Sequence, residues 1–214
     1  MKNIVSKGIK DALRLVFFSM VAFNLSCVGG KYTYQFDTGK KLDFSKGKWI
    51  LNQTKSNSTF RYDKKLYNES FEQFKKILGD SLIDMTSLRN TSLVGPEIKM
   101  EPSQAELLQL HQDSNCDYLI NLTGTVISEG AGSLSFNDPN SSYTTSNSSS
   151  VSIQIYDLKT GMIISSSRAF GKDTQENSVF EKEGALSLHS RAEPIMIQAA
   201  ERLINKYNKY RIDK

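Results

Sequence analysis

Two cysteines and two histidines offer thiol and imidazole chemistry for a nucleophile, base or metal ligand: Cys27, His111, Cys116 and His189. Only His111 and Cys116 lie close together, and a thiol beside an imidazole can form a nucleophile pair of the kind a hydrolase uses. The surrounding residues favour another reading. Cys116 opens the apolar strand "CDYLINLTGTVIS", and His111 ends a polar helix, so a buried thiol near an exposed ring is expected. No His-x-x-x-His or Cys-x-x-Cys spacing occurs, which argues against a zinc site, since such a site needs ligands converging from one turn or knuckle. No Gly-x-Gly-x-x-Gly or Walker pattern occurs either, so a nucleotide lacks its phosphate cradle. Glu181 and Glu183 read as a solvated turn rather than a glycosidase dyad. No cofactor and no metal are expected, and loss of an activity on replacing Cys116 or His111 in a folded protein would favour the enzyme reading.

Cys27 sits in a different context. Lys2, Lys7, Lys10 and Arg14 precede an apolar stretch of 11 residues, Leu15 to Leu25. A charged start followed by a short apolar run is the layout of an export signal. A membrane-spanning helix needs about 20 apolar residues, so this stretch is too short to be one. The tetrapeptide "NLSC" resembles a bacterial lipobox, with small Ser26 before the cysteine and Asn24 where an aliphatic residue is usual. Looser lipoboxes of this kind resemble those of Bacteroidetes or spirochaetes. A disulfide between Cys27 and Cys116 is the competing use of the two thiols. The expectation is a signal over residues 1–26, a lipidated Cys27 with a tether over 27–46, and a membrane partner reached through that lipid.

Cleavage before Cys27 removes four basic residues and one acid. The 188 residues left carry 23 basic and 22 acidic side chains, against 27 and 23 in the whole chain. The formal charge falls from +4 to +1, so the apparent basicity belongs to the signal and does not point to nucleic acid. A remainder of that length is enough for one domain with a real core, taken as residues 47–214.

The elements that must position any site follow from periodicity. "GKWILNQTKSN" (Gly47 to Asn57) reads as a first strand with Trp49 in the core. Tyr67, Phe71, Phe74, Leu78 and Leu82 mark one face of a helix, with Asp63 as its N-cap. Thr86 to Ile98 reads as an irregular strand ended by Gly95-Pro96. Ser103 and Glu106 form a capping box that starts a short helix. In the strand after Cys116, Leu119, Asn121, Thr123 and Thr125 alternate with Tyr118, Ile120, Leu122 and Gly124. That pattern gives one polar face, and Gly124 marks a bulge or a close approach. Residues 128–150, rich in Ser and Asn, read as a long mobile loop whose aromatics are Phe136 and Tyr143. Val151–Tyr156 and Met162–Phe170 are strands around a turn at Asp157–Gly161, and Ala185–Tyr210 is mainly helical, broken or restarted at Pro194. The fold class is α/β: a mixed β-sheet of four to five strands with about three helices packed mainly on one face.

"CDYLINLTGTVIS" followed by "VSIQIYDLKTGMIISSS" resembles a stretch shared by a group of envelope proteins: the curli-secretion lipoprotein, the penicillin-binding-protein-activator lipoproteins and the amino-terminal domain of the Tol-system propeller protein. The resemblance rests on Asp117, Tyr118, Leu119, Gly124, Thr125, Asp157, Thr160 and Gly161, while "GKWILNQTKSN" lacks the group's apolar first strand. It implies a small α/β domain acting as a binding or assembly module without shared catalytic residues. The expected function is that of a lipid-anchored, non-catalytic envelope module with an envelope protein as partner. Its candidate surfaces are Asn121, Thr123 and Thr125 on the sheet, or Phe136 and Tyr143 on the loop. The alternatives are an envelope hydrolase using Cys116 and His111, or a subunit of an oligomeric secretion assembly. No acidic cluster follows Cys27, so a periplasm-facing place on the outer membrane is expected.

Overall fold

A computed structural model describes residues 30–91, 94–95, 97–130, 134–136, 144–176, 186–188 and 190–213. The fold is mixed α/β. Its strands are β1 (Lys31–Thr38), β2 (Trp49–Leu51), β3 (Lys55–Ser56), β4 (Leu82–Ile83), β5 (Tyr118–Glu129), β6 (Leu134–Phe136), β7 (Thr144–Asp157), β8 (Met162–Glu176) and β9 (Leu186–Leu188). Its helices are α1 (Phe60–Leu78), α2 (Met85–Thr91), α3 (Gln104–Ser114) and α4 (Ala192–Tyr210). Seven strands form one sheet in the order β1-β8-β7-β5-β2-β4, with β3 also on β5, while β6 and β9 pair separately. The early strands β2, β3, β4 and β5 run parallel, and β5, β7, β8 and β1 run antiparallel. Helical crossovers early and hairpins late produce that division.

The sheet has more strands than the four to five expected. Lys31–Thr38, read from sequence as tether, is an eight-residue edge strand paired along β8. Its sequence KYTYQFDT puts Tyr32, Tyr34 and Phe36 on the helix-covered face, where they pack on the core. Both ends of the 128–150 segment are also strand: Ser128 and Glu129 pair with Ser148 and Asn147. The expected strand over Thr86–Ile98 is instead helix α2 at its start; Met85 and Leu88, three apart, bury one apolar stripe.

One face of the sheet is covered by α1 and α4. Ile195, Ala199, Leu203 and Tyr207 of α4 are all buried, as their spacing predicts. Pro194 is the third residue of α4, where a backbone N–H has no partner within the helix. On α1 the buried stripe is Leu66, Ser70, Phe74 and Ile77, so Tyr67 and Phe71 flank the contact rather than centre it. Thr59, not Asp63, is the N-cap of α1; Asp63 lies in the first turn and accepts the Ser56 hydroxyl. The capping box at Ser103 and Glu106 is present at the start of α3. Gly124 is a close approach: a Cβ there would lie 2.3 Å from the Met196 sulfur.

A second, smaller core lies on the other face, where Ile50, Leu119, Tyr156 and Leu158 meet Met85, Leu88, Leu107 and Leu110. Asp117, Asp157 and Gly161 tie these layers together. Asp117 accepts the Lys48 N–H at 2.8 Å and pairs with Lys159 at 2.6 Å, joining the start of β2 to the β7–β8 turn. The Lys159 ammonium holds the Asp117 carboxyl below the usual carboxylate range. Asp157 Oδ1 accepts the Lys159 and Thr160 N–H groups, and Gly161 closes the turn at φ 65°.

Candidate functional site

Strand register builds a face that no single segment reveals. Thr33, Phe170, Ser150 and Thr125 are direct neighbours across β1, β8, β7 and β5, and so form one row. Gln35, Arg168, Ser152 and Thr123 form the next. The intervening residues Ser149, Val151, Ser167 and Ala169 are buried toward α4, so both rows point away from it. Thr33, Gln35, Thr125 and Arg168 are exposed, and Ser150, Ser152, Thr123 and Phe170 half-exposed. Four strands at about 4.8 Å spacing make the face about 14 Å across. It presents hydroxyls, one amide, one guanidinium and one phenyl ring, a surface of hydrogen-bonding groups around an apolar and a cationic anchor.

Thr123 and Thr125 therefore belong to this face, as the alternation in β5 predicts. Asn121 belongs to it only by parity. Its side chain is 2% exposed, because the chain from Ile98 to Met100 crosses over it. Asn121 Nδ2 donates to the Met100 carbonyl at 2.7 Å and to the Lys99 carbonyl at 3.3 Å. Its Oδ1 accepts from Asn52 Nδ2 at 3.0 Å, and Asn52 donates also to the Ile98 carbonyl at 3.1 Å. The amide pair is a buried clamp, saturated by its own chain, and is not free to meet a partner. Asn121→Ala is expected to cost about 2–3 kcal/mol, since it strands buried donors and carbonyls. Thr125→Ala stays within about 0.5 kcal/mol. Urea denaturation of both variants checks the contrast; equal midpoints would remove the clamp.

The thiol and imidazole do not assemble as a nucleophile and base. His111 Nδ1 meets the Cys116 carbonyl at 2.6 Å, and a carbonyl only accepts, so that nitrogen carries the proton. The Cys116 thiol is fully buried, points to the Ser114 carbonyl at 3.6 Å, and is pushed up in pKa by its burial. A thiolate is disfavoured there. Among the described residues no group of three or more His, Cys, Asp or Glu side chains could hold a metal. Phe136 lies in β6, and Cys27, Tyr143, Glu181, Glu183 and His189 lie outside the described residues. Among the described residues no helix is long and apolar enough to cross a membrane.

The residues that the sequence reading missed are Thr33, Gln35, Ser150, Ser152, Arg168 and Phe170. Alternation along each strand was available as a signal, but the rows exist only once four strands are registered against one another.

No protein-family model and no curated protein matches the sequence. Among solved structures, the chain is similar to the PelC dodecamer from Paraburkholderia phytofirmans, with 11% identity over 83% of this chain and 97% of that one, and a TM-score of 0.45. It is similar to the lipoprotein GNA1162 from Neisseria meningitidis, with 14% identity over 62% of this chain and 87% of that one, and a TM-score of 0.36. It is also similar to LpoB from E. coli, with 11% identity over 67% of this chain and 57% of that one, and a TM-score of 0.34.

Proposed function

We propose that this chain is a lipid-anchored cell-envelope protein whose α/β domain is a non-catalytic binding module, and that the Thr33–Thr125 and Gln35–Thr123 rows form its recognition face for another envelope protein. The observation that carries the reading is the face itself. The first part of the sheet is buried on both sides, whereas these two rows stay open across four strands. They place Phe170 and Arg168 side by side at the centre. Aromatic and arginine side chains at the middle of a patch are the residue types that dominate binding energy. The lipobox-like "NLSC" supports the anchored placement, and the saturated surroundings of Cys116 and His111 weigh against their use as a hydrolase pair. A patch about 14 Å across is smaller than one side of a standard stable interface, about 800 Å². The capture it supports belongs to the weak, exchangeable class.

A photo-crosslinking residue at Ser150, in intact cells, tests this. It should capture one envelope protein, and Arg168→Glu should reduce the yield about tenfold or more. The same probe at Gln112 on the exposed side of α3 should capture none of it. Capture that is indifferent to Arg168, or equal from both positions, would remove the face from the proposal.

A further inference from the structure

Where β1 meets α4, a line of cations lies on aromatic rings. The Arg202 guanidinium is 4.4 Å from the centroid of Tyr32, and the Lys206 ammonium 4.7 Å from that of Tyr34. Lys40 lies 4.2 Å from the ring of Tyr210, and Lys209 approaches the same ring at 6.0 Å. Arg202 and Lys206 are four apart on one helix face, and Lys40 reaches in from the turn after β1. A depression of about 270 Å³ opens among them, lined by Tyr34, Phe36, Lys40, Lys206 and Tyr210, none of them acidic. Two acids lie at the Tyr32 end of the strip, and the others near it are engaged away from the depression. Glu201 and Asp173 act on Tyr32 at the upper end. Asp37 accepts from Gln35 and Ser166 on the opposite face, and Asp213 is engaged by the Phe44 N–H and Arg211. The depression itself is thus lined by two lysines and three aromatic rings with no acid.

We propose that this β1–α4 strip is a docking surface for the anionic phospholipid headgroups of the bilayer that holds the chain's lipid, a proposal that rests on lipidation at Cys27. The position of the chain's anchor supports it first. β1 begins four residues after Cys27, and an extended chain gains at most about 3.6 Å per residue, so the Cys27 Cα is held within about 15 Å of the Lys31 Cα. The strip starts at the next residue, Tyr32. An anchor that short keeps the Tyr32 end of the strip near the headgroups, and among the described residues no further strand of the sheet lies outside β1. Charge complementarity is the second support, since basic groups near an anionic leaflet are attracted to it. Side-chain chemistry is the third. Lysine and arginine stems lie along apolar surface with the charge at the tip, and tyrosine favours the membrane–water boundary.

The test uses the full lipid-bearing chain, purified in detergent and placed in vesicles of phosphatidylcholine alone or with about one-third phosphatidylglycerol. Lysines are acetylated with a water-soluble reagent and read by mass spectrometry. Labelling of Lys40 and Lys206 should fall about fivefold in the anionic vesicles and recover in molar salt, while Lys65 and Lys76 on α1 stay unchanged. In a Lys40→Gln, Lys206→Gln double variant, protection of Lys209 should be lost. Equal labelling in both vesicle types, on protein that floats and carries acyl chains, overturns the docking surface alone. The same protection by inorganic phosphate in detergent also overturns it, by making the depression a small-anion site. Protein that fails to float and has an unmodified Cys27 overturns the anchor and the docking surface together.

Discussion

Alanine at Gly39 is expected to lower the stability of the domain by about 3 kcal/mol, a large part of the roughly 5–15 kcal/mol available to a domain. Gly39 has φ +60°, and a Cβ there would lie 2.0 Å from the Ile164 carbonyl oxygen and 2.7 Å from the Ser165 Cα. The left-handed conformation alone costs an L-residue about 1–2 kcal/mol. A collision with backbone, which cannot rotate away, adds an overpacking cost of about 1–3 kcal/mol. Relief would push β1 off β8 at its lower end and break a buried chain of hydroxyls. There Ser165 Oγ donates to the Gly39 carbonyl at 3.0 Å, which leaves it to accept from Tyr207, which in turn accepts from Ser167. Gly79→Ala is the matched control. Gly79 also has positive φ, 56°, but nothing lies within 4 Å of its added Cβ. Its ψ of −131° lies outside the left-handed helical well, so a backbone cost of about 1–3 kcal/mol applies there with no collision added. Thermal melts of the two variants should differ, with Gly39→Ala lower in Tm by roughly 10 °C than the parent. A Gly39→Ala melt within about 3 °C of the parent would mean that the Gly39 turn does not approach β8 so closely.

That contact also shows which parts of the molecule were legible in the sequence. The capping box at Ser103, the turn at Asp157–Gly161 and the stripe on α4 were readable because each is set by residues within a few positions of one another. β1 carried a comparable signal, with Tyr32, Tyr34 and Phe36 alternating with polar residues. The two glycines and the cysteine that precede it favour a tether on sequence alone. The helix at Met85 was obscured by length: seven residues give only two turns of periodicity, and the following Gly95-Pro96 suited a strand end equally well. The sites were less legible than the fold. Asn121 has the alternation of a surface residue, and its burial depends on a segment some twenty positions upstream lying across it. The Thr33–Thr125 row brings together residues from four strands, and the cation strip joins the two ends of the domain's sequence. Such assemblies are set by register and topology, which local spacing does not encode.

Cys27→Ser is expected to abolish salt-resistant membrane association altogether. Each buried methylene contributes about 0.8 kcal/mol, and one acyl chain gives only marginal, reversible binding, so stable anchoring needs a second signal. A diacylated cysteine supplies it without any apolar helix. The β1–α4 strip cannot replace it: four basic groups at about 1 kcal/mol each on an anionic leaflet give binding that salt removes. The two contributions separate by treatment. The parent protein should stay with membranes through molar salt and enter the detergent phase on partition. The Cys27→Ser chain should leave with salt and partition into water, since its apolar stretch of 11 residues is too short to span a bilayer. Mass measurement of the amino-terminal peptide from the parent should show the added acyl chains on Cys27. A free thiol there, a bridge to Cys116, or a serine variant that still follows the detergent would each place the anchor elsewhere. β1 would then start beside no membrane, and its cations would need a different partner.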